Sequence, residues 1–171
     1  MDRWQSTGRE FEVTRILIVY DSKSGNTERM AIAVAEGARH VKHVDVDMKN
    51  VDQTSLDDLV YADGIAFGSP TYFGEMSGKL KTFIDESVKV YGKLEGKVGA
   101  AFTSSGGTAS GAETTLLSIV QAMLVHGMIV PGRSGDKHFG AAAVESPQDS
   151  DLESCRDLGK RVAELASKLK K

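Results

Sequence analysis

The chain has a single cysteine, Cys155, so no disulfide can form within it. One thiol in 171 residues fits a reducing compartment. There are three prolines and one tryptophan, and aromatic residues make up 6% of the chain. No apolar run reaches the roughly 18 residues of a membrane-spanning helix. Neither sign of charge dominates: 21 Lys and Arg against 24 Asp and Glu give a formal net charge of -3. That balance argues against a nucleic-acid partner, and no Lys/Arg run marks a membrane-surface patch. A length of 171 residues is that of one ordinary domain, which can bury roughly 70% of its unfolded surface without disulfides or metal. Residues 1–14 are polar and lack the apolar stretch of a secretory signal. They read as a flexible extension, carrying Trp4, ahead of one domain over residues 15–171. A cytoplasmic protein is expected.

What is present is an alternation of two patterns. Short apolar runs read as strands: Arg15 to Tyr20, Val44 to Met48, Gly64 to Gly68, Lys97 to Thr103 and Met128 to Val130. Helix-period segments lie between and after them: Asn26 to Arg39, Leu56 to Tyr61 behind a Ser55 cap, Ser77 to about Val88, Ala112 to His126 and Leu152 to Leu169. In the first helix Met30, Ile32, Ala33, Val34 and Ala38 give a broad apolar face. Strands and helices alternating in this way predict an α/β doubly wound, five-stranded parallel sheet with helices on both faces and right-handed crossovers. Residues Pro131 to Pro147 form the one long irregular stretch, rich in Gly and Ala.

In such a sheet a ligand binds beyond the carboxyl ends of the strands, at the switch point. The loops after strands one, three and four are the Ser/Thr/Gly-rich ones, and the loop after strand two, Lys49 to Thr54, is not. That asymmetry favours the strand order 2-1-3-4-5. The first loop, Ser22 to Thr27, runs from a buried strand into a helix N-terminus, where unpaired amides and the helix dipole favour an anion. Ser22, Ser24 and Thr27 add hydroxyls, Asn26 an amide, and Gly25 allows a close backbone approach. The alternative is a well-capped helix with nothing bound. ATP, GTP and dinucleotide motifs are missing: Gly78-Lys79 is followed by Leu80, and no G-x-G-x-x-G occurs. The second loop offers Pro70, Thr71, Tyr72, Phe73 and Gly74, with flat apolar surface from Tyr72 and Phe73 and hydrogen bonds from Thr71. Core packing is the other reading of Phe73. The third loop offers Ser104, Ser105, Gly106, Gly107 and Thr108, whose backbone can lie against a ring edge, or form a plain surface loop.

The stretch Ile18-Val19-Tyr20-Asp21-Ser22-Lys23-Ser24-Gly25-Asn26-Thr27 resembles the FMN-phosphate signature of flavodoxins. Gly68 to Asp85, Ser104 to Gly107 and His126 to Pro131 resemble the corresponding parts of WrbA-type flavoproteins. The likeness runs from about Arg15 to Leu169. It implies a flavodoxin-like fold and FMN, with the phosphate at Ser22 to Thr27 and the isoalloxazine between the second and third loops. WrbA-type proteins are NAD(P)H:quinone oxidoreductases and form tetramers. The chain departs from that group in having Val125 where the first of two histidines, near the flavin, is found. It also lacks the tryptophan that shapes the quinone pocket, and Tyr91 is a candidate for its place. These departures bear on the quinone pocket and not on the FMN loops.

The resulting expectation is an FMN redox protein that carries electrons between partners and asks no acid or base of a side chain. The alternatives are a WrbA-type NAD(P)H:quinone oxidoreductase, homodimeric or tetrameric, and a flavin-free binding module. His40 and His43 lack a third ligand, so no metal site is read. His126 reads as a cationic cap of its helix. Lys137 and His138 read as solvated, with a nicotinamide phosphate or a neighbouring subunit as the other reading. Cys155 reads as inert.

Overall fold

The β-branched run Thr14–Tyr20 forms β1 in a computed structural model that describes residues 13–170. It is buried on both faces because helices cover each side of the sheet, Ile16 and Ile18 packing into one layer and Leu17 and Val19 into the other. β2 (Val44–Asn50) pairs along one edge and β3 (Gly64–Pro70) along the other. β4 (Val98–Ser105) and β5 (Ala141–Val144) complete a parallel sheet of order β2-β1-β3-β4-β5. The fold is therefore the flavodoxin-like one that the alternation and the loop asymmetry imply. Residues 1–12 of the expected extension lie outside the described residues. Thr14, at its end, already pairs with Val44 and donates its amide to His43 O.

α1 (Asn26–Arg39) and α5 (Asp149–Leu169) cover one face, and their contacts with Ile16, Ile18, Phe102 and Ala143 form one core. α2 (Leu56–Tyr61), α3 (Gly78–Glu86) and α4 (Ala112–Val125) cover the other, around Leu17, Val19, Ile65 and Phe67. α1 and α5 meet closely because each has a glycine at the contact. A Cβ on Gly37 would lie 1.9 Å from Arg156 O, and one on Gly159 would lie 1.9 Å from Val34 O.

Three expectations need correction. The fifth strand is not Met128 to Val130: there a single bridge forms between Ile129 and Val98, before Pro131 removes the next donor. The strand resumes ten residues later as Ala141–Val144, a run hidden in the stretch read as irregular because alanine is a weak strand former. Ile32, placed on the inner face of α1, is 42% exposed. α5 starts at Asp149, ahead of the expected Leu152, because the Asp151 carboxylate accepts from the Gln148 amide at 3.1 Å and holds the first turn.

Candidate functional site

All three Ser/Thr/Gly-rich loops leave the carboxyl edge of adjacent strands, β1, β3 and β4. In the first, Gly25 is the N-cap of α1 and adopts the left-handed region, φ 89°, with open space where a Cβ would stand. Ser22 Oγ accepts from the amides of Gly25 (3.1 Å) and Glu28 (3.2 Å), which leaves its own hydrogen for another acceptor. Ser24 is exposed and Asn26 half-buried, at the mouth of the helix. The helix thus begins without a side chain capping it from Gly25, and its dipole points into the loop. Thr27 differs from expectation: it is buried, and its hydroxyl meets Ser104 Oγ at 2.9 Å. It ties the first loop to the third rather than facing outward.

The second loop turns sharply. Tyr72 and Glu75 exchange backbone hydrogen bonds of 3.0 Å around Phe73 (φ 52°) and Gly74 (φ 77°), as a two-residue hairpin turn requires. This lifts Phe73 entirely into solvent, which removes the core-packing reading, and leaves Tyr72 42% exposed. A non-glycine residue held left-handed and apolar in water stores strain and surface free energy together, a combination concentrated at functional sites. Pro70 is buried at the strand end, and Thr71 donates its amide to Ser104 O at 2.8 Å.

Ser104 and Ser105 close β4 and are both buried, whereas Gly106, Gly107 and Thr108 form the solvent side of the third loop. None of the described residues lies within 4 Å of a Cβ on Gly106 or Gly107, so the backbone there is open to a flat neighbour. The loop returns against the second one: a Cβ on Gly111 would stand 2.6 Å from Gly74 Cα. The structure therefore brings the three loops together through Thr27–Ser104, Thr71–Ser104 and Gly74–Gly111.

Sequence reasoning missed the support beneath them. Thr103 Oγ1 donates to Ser69 O (2.7 Å) and meets Thr71 Oγ1 (3.0 Å). Ser69 Oγ donates to Pro70 O and accepts from Ser77 N, each at 2.8 Å, and Ser77 Oγ caps α3 at Leu80 N. The available signal was a hydroxyl residue at the carboxyl end of two otherwise apolar strands, where no packing role calls for one.

Val125 and His126 lie at the opposite end of α4 from Gly111, about 20 Å along a helix of 14 residues. Both line a groove with Glu75, Met76 and Tyr91. His126 is not a charged cap. Its Nε2 meets Ser87 Oγ at 2.7 Å, and that hydroxyl donates to Ile84 O at 2.6 Å. Ser87 therefore accepts from Nε2–H, and Nδ1 is left as a buried acceptor with no partner among the described residues. Burial holds the pKa of this imidazole below the ordinary histidine value. Lys137, read as solvated, donates instead to Ala142 O at 2.9 Å.

Residues 14–136 match the family model described as NADPH-dependent FMN reductase. The chain belongs to that family. It is 39% identical to a flavodoxin of Aquifex aeolicus, over 88% of this chain and 85% of that protein. It is 38% identical to an NAD(P)H dehydrogenase (quinone) of Archaeoglobus fulgidus, over 92% of this chain and all of that one. Among solved structures, a flavodoxin, WrbA-like protein from Agrobacterium tumefaciens superposes with a TM-score of 0.79 at 34% identity, covering 92% of this chain and 99% of the other. Membership of the FMN reductase family agrees with the resemblance read from the phosphate loop and from the second loop.

Proposed function

We propose that this chain is an FMN-binding, flavodoxin-like redox protein that carries electrons between partners. The observation that carries this reading is the meeting of three loops around an open helix N-terminus at the switch point of the sheet. The residues present fit the group. Ser22, Ser24, Gly25 and Asn26 offer hydroxyl and amide donors to a phosphate at the positive end of α1, with Thr27 holding that loop on Ser104. Pro70, Thr71, Tyr72, Phe73 and Gly74 offer aromatic surface and backbone edge on one side of a ring. Ser104, Ser105, Gly106, Gly107 and Thr108 offer a backbone without bulky side chains on the other. Bound FMN supplies reversible uptake of one or two electrons at its ring system. The chain's part is to orient that ring, exclude water from one face and leave an edge open, and no side-chain acid or base is required.

A second reading, an NAD(P)H:quinone oxidoreductase, is favoured by the family description and by the name of the Archaeoglobus relative. Its nucleotide and quinone partners would take the place of a carrier's protein partners. Val88, Tyr91 and Val125 stand 65–68% exposed along the groove between α3 and α4, a patch suited to burial between copies of this chain in a dimer or tetramer. No helix of the described residues is long and apolar enough to cross a membrane.

Anaerobic mixing of the yellow protein with NADH or NADPH in a stopped-flow instrument separates the two readings. A carrier is reduced by dithionite and not bleached by either nucleotide. Rapid bleaching by one of them, followed by reoxidation with a quinone, establishes the oxidoreductase instead. Protein that is colourless as purified and takes up no FMN overturns both.

A further inference from the structure

The start of α1 attracts a negative charge, and the helix carries a negative charge of its own that can reach it. Ser22 Oγ takes the amides of Gly25 and Glu28, at 3.1 and 3.2 Å. The two amides between them, of Asn26 and Thr27, have no partner among the described residues. With the helix dipole behind them they favour an anion. Glu28 is the third residue of α1 and the acid of its first turn. A glutamate at that position ordinarily turns back over the helix start and bonds the amide of the cap residue. Placed there it would satisfy the helix from within, and an anion from outside would meet its charge.

Glu28 does not turn back. Its Oε1 accepts instead from the hydroxyl of Tyr20, at 2.9 Å. Tyr20 is the last residue of β1, only 7% exposed, and its ring lies in the core shared with α1 and α5. A ring gripped by the core is a fixed anchor for its polar tip. Burial, and after it Glu28, raises the pKa of this phenol above the ordinary value, so the hydroxyl keeps the proton it donates.

Glu28 itself is exposed, and the Tyr20 hydroxyl is the one group among the described residues that bonds its carboxylate. No cation on the first turn takes that part. Arg29, the next residue, is directed to the start of α5, where it donates to Ser146 Oγ at 2.7 Å and to Pro147 O at 3.3 Å. The loop's other carboxylate, Asp21, acts on Lys79 at the start of α3. The direction Glu28 takes is therefore set by a single hydrogen bond from the strand below.

We propose that Tyr20 is a positioning residue for the phosphate: it holds the Glu28 carboxylate away from the start of α1 and keeps the Asn26 and Thr27 amides for an anion from outside. This rests on the reading of Ser22 to Thr27 as the FMN-phosphate loop, and adds what keeps that loop clear of the chain's own carboxylate. Tyr20 acts through Glu28 and not on the flavin ring. Its removal therefore weakens the hold on the phosphate and leaves the hold on the ring as it was.

The test is fluorescence titration of the flavin-free protein with FMN and with riboflavin, in wild type, Tyr20→Phe, Glu28→Gln and the double variant. Tyr20→Phe keeps the buried ring and removes only the hydroxyl. It should weaken FMN binding about five-fold, the worth of one charge at a helix end, and leave riboflavin unchanged. The loss should shrink in about 1 M salt, where charges are screened within roughly 3 Å. The double variant should bind FMN as tightly as Glu28→Gln alone, because a neutral side chain released from Tyr20 does not repel the phosphate. Glu28→Gln by itself should change FMN affinity by less than about two-fold, since the carboxylate is already held aside. Unchanged FMN affinity in Tyr20→Phe, an equal loss for both flavins, a loss that persists beside Glu28→Gln, or a five-fold gain in Glu28→Gln alone would overturn the proposal and leave the phosphate loop standing. Equal affinity of the wild type for FMN and riboflavin would remove the phosphate reading, and this proposal with it.

Discussion

His126 shows how a residue's surroundings can reverse its reading. At the end of an apolar helix an imidazolium is favourable, but this ring is tucked against Ser87 with an unpartnered Nδ1, and burial depresses its pKa. Between the folded pKa and the unfolded value near 6.5 the unfolded chain binds the extra proton. Its contribution to stability is therefore complete above pH about 6.5 and is lost as pH falls through the folded pKa. Urea midpoints should drop on acidification from pH 7.5 to 5, and the drop should be smaller in His126→Gln. Equal drops in both proteins would remove His126 from the account. Cys155 is a simpler case. It is fully buried between α1 and α5, and burial, with Asp151 adding to it, pushes its thiol up to about 12. A disulfide reagent should leave the native protein unlabelled and modify one thiol per chain after unfolding. The three loops were legible at this scale because Ser, Thr, Gly and Asn have few other reasons to cluster after apolar strands. The Thr103–Ser69–Ser77 network beneath them was not, because a buried hydroxyl's partner is set by tertiary packing.

At the scale of elements, periodicity carried most of the reading. α1 and α2 fall on their expected residues, and Ser55 forms a reciprocal cap with Asp58. The split edge strand was missed because Pro131 ends the first segment while the second is nearly all alanine, and neither propensity nor alternation marks it. The α1–α5 contact was also invisible, since it depends on two glycines distant in sequence that become neighbours only in space. Gly159→Ala would force a methyl into Val34 O and should cost about 1–3 kcal/mol, read as a lower denaturant midpoint. Gly78→Ala, at the first turn of α3 with nothing within 4 Å of the new Cβ, should cost nothing or stabilise slightly. Equal losses at the two positions would contradict the close approach of α1 and α5.

For the whole molecule, strand order places the chemistry. Because β1 lies between β2 and β3, the chain reverses direction across the sheet there, and the loops after β1, β3 and β4 meet at one edge. A net charge of -3 leaves the surface without a strong field, so association with a partner should depend weakly on salt. The central claim is that the open N-terminus of α1 receives the phosphate of FMN. Its most direct test is titration of the flavin-free protein with FMN and with riboflavin, followed by flavin fluorescence. The account predicts that FMN binds at least about 100-fold more tightly, the effect of two charge-assisted hydrogen bonds to its phosphate. Equal affinity for the two flavins, or binding of neither, would contradict it.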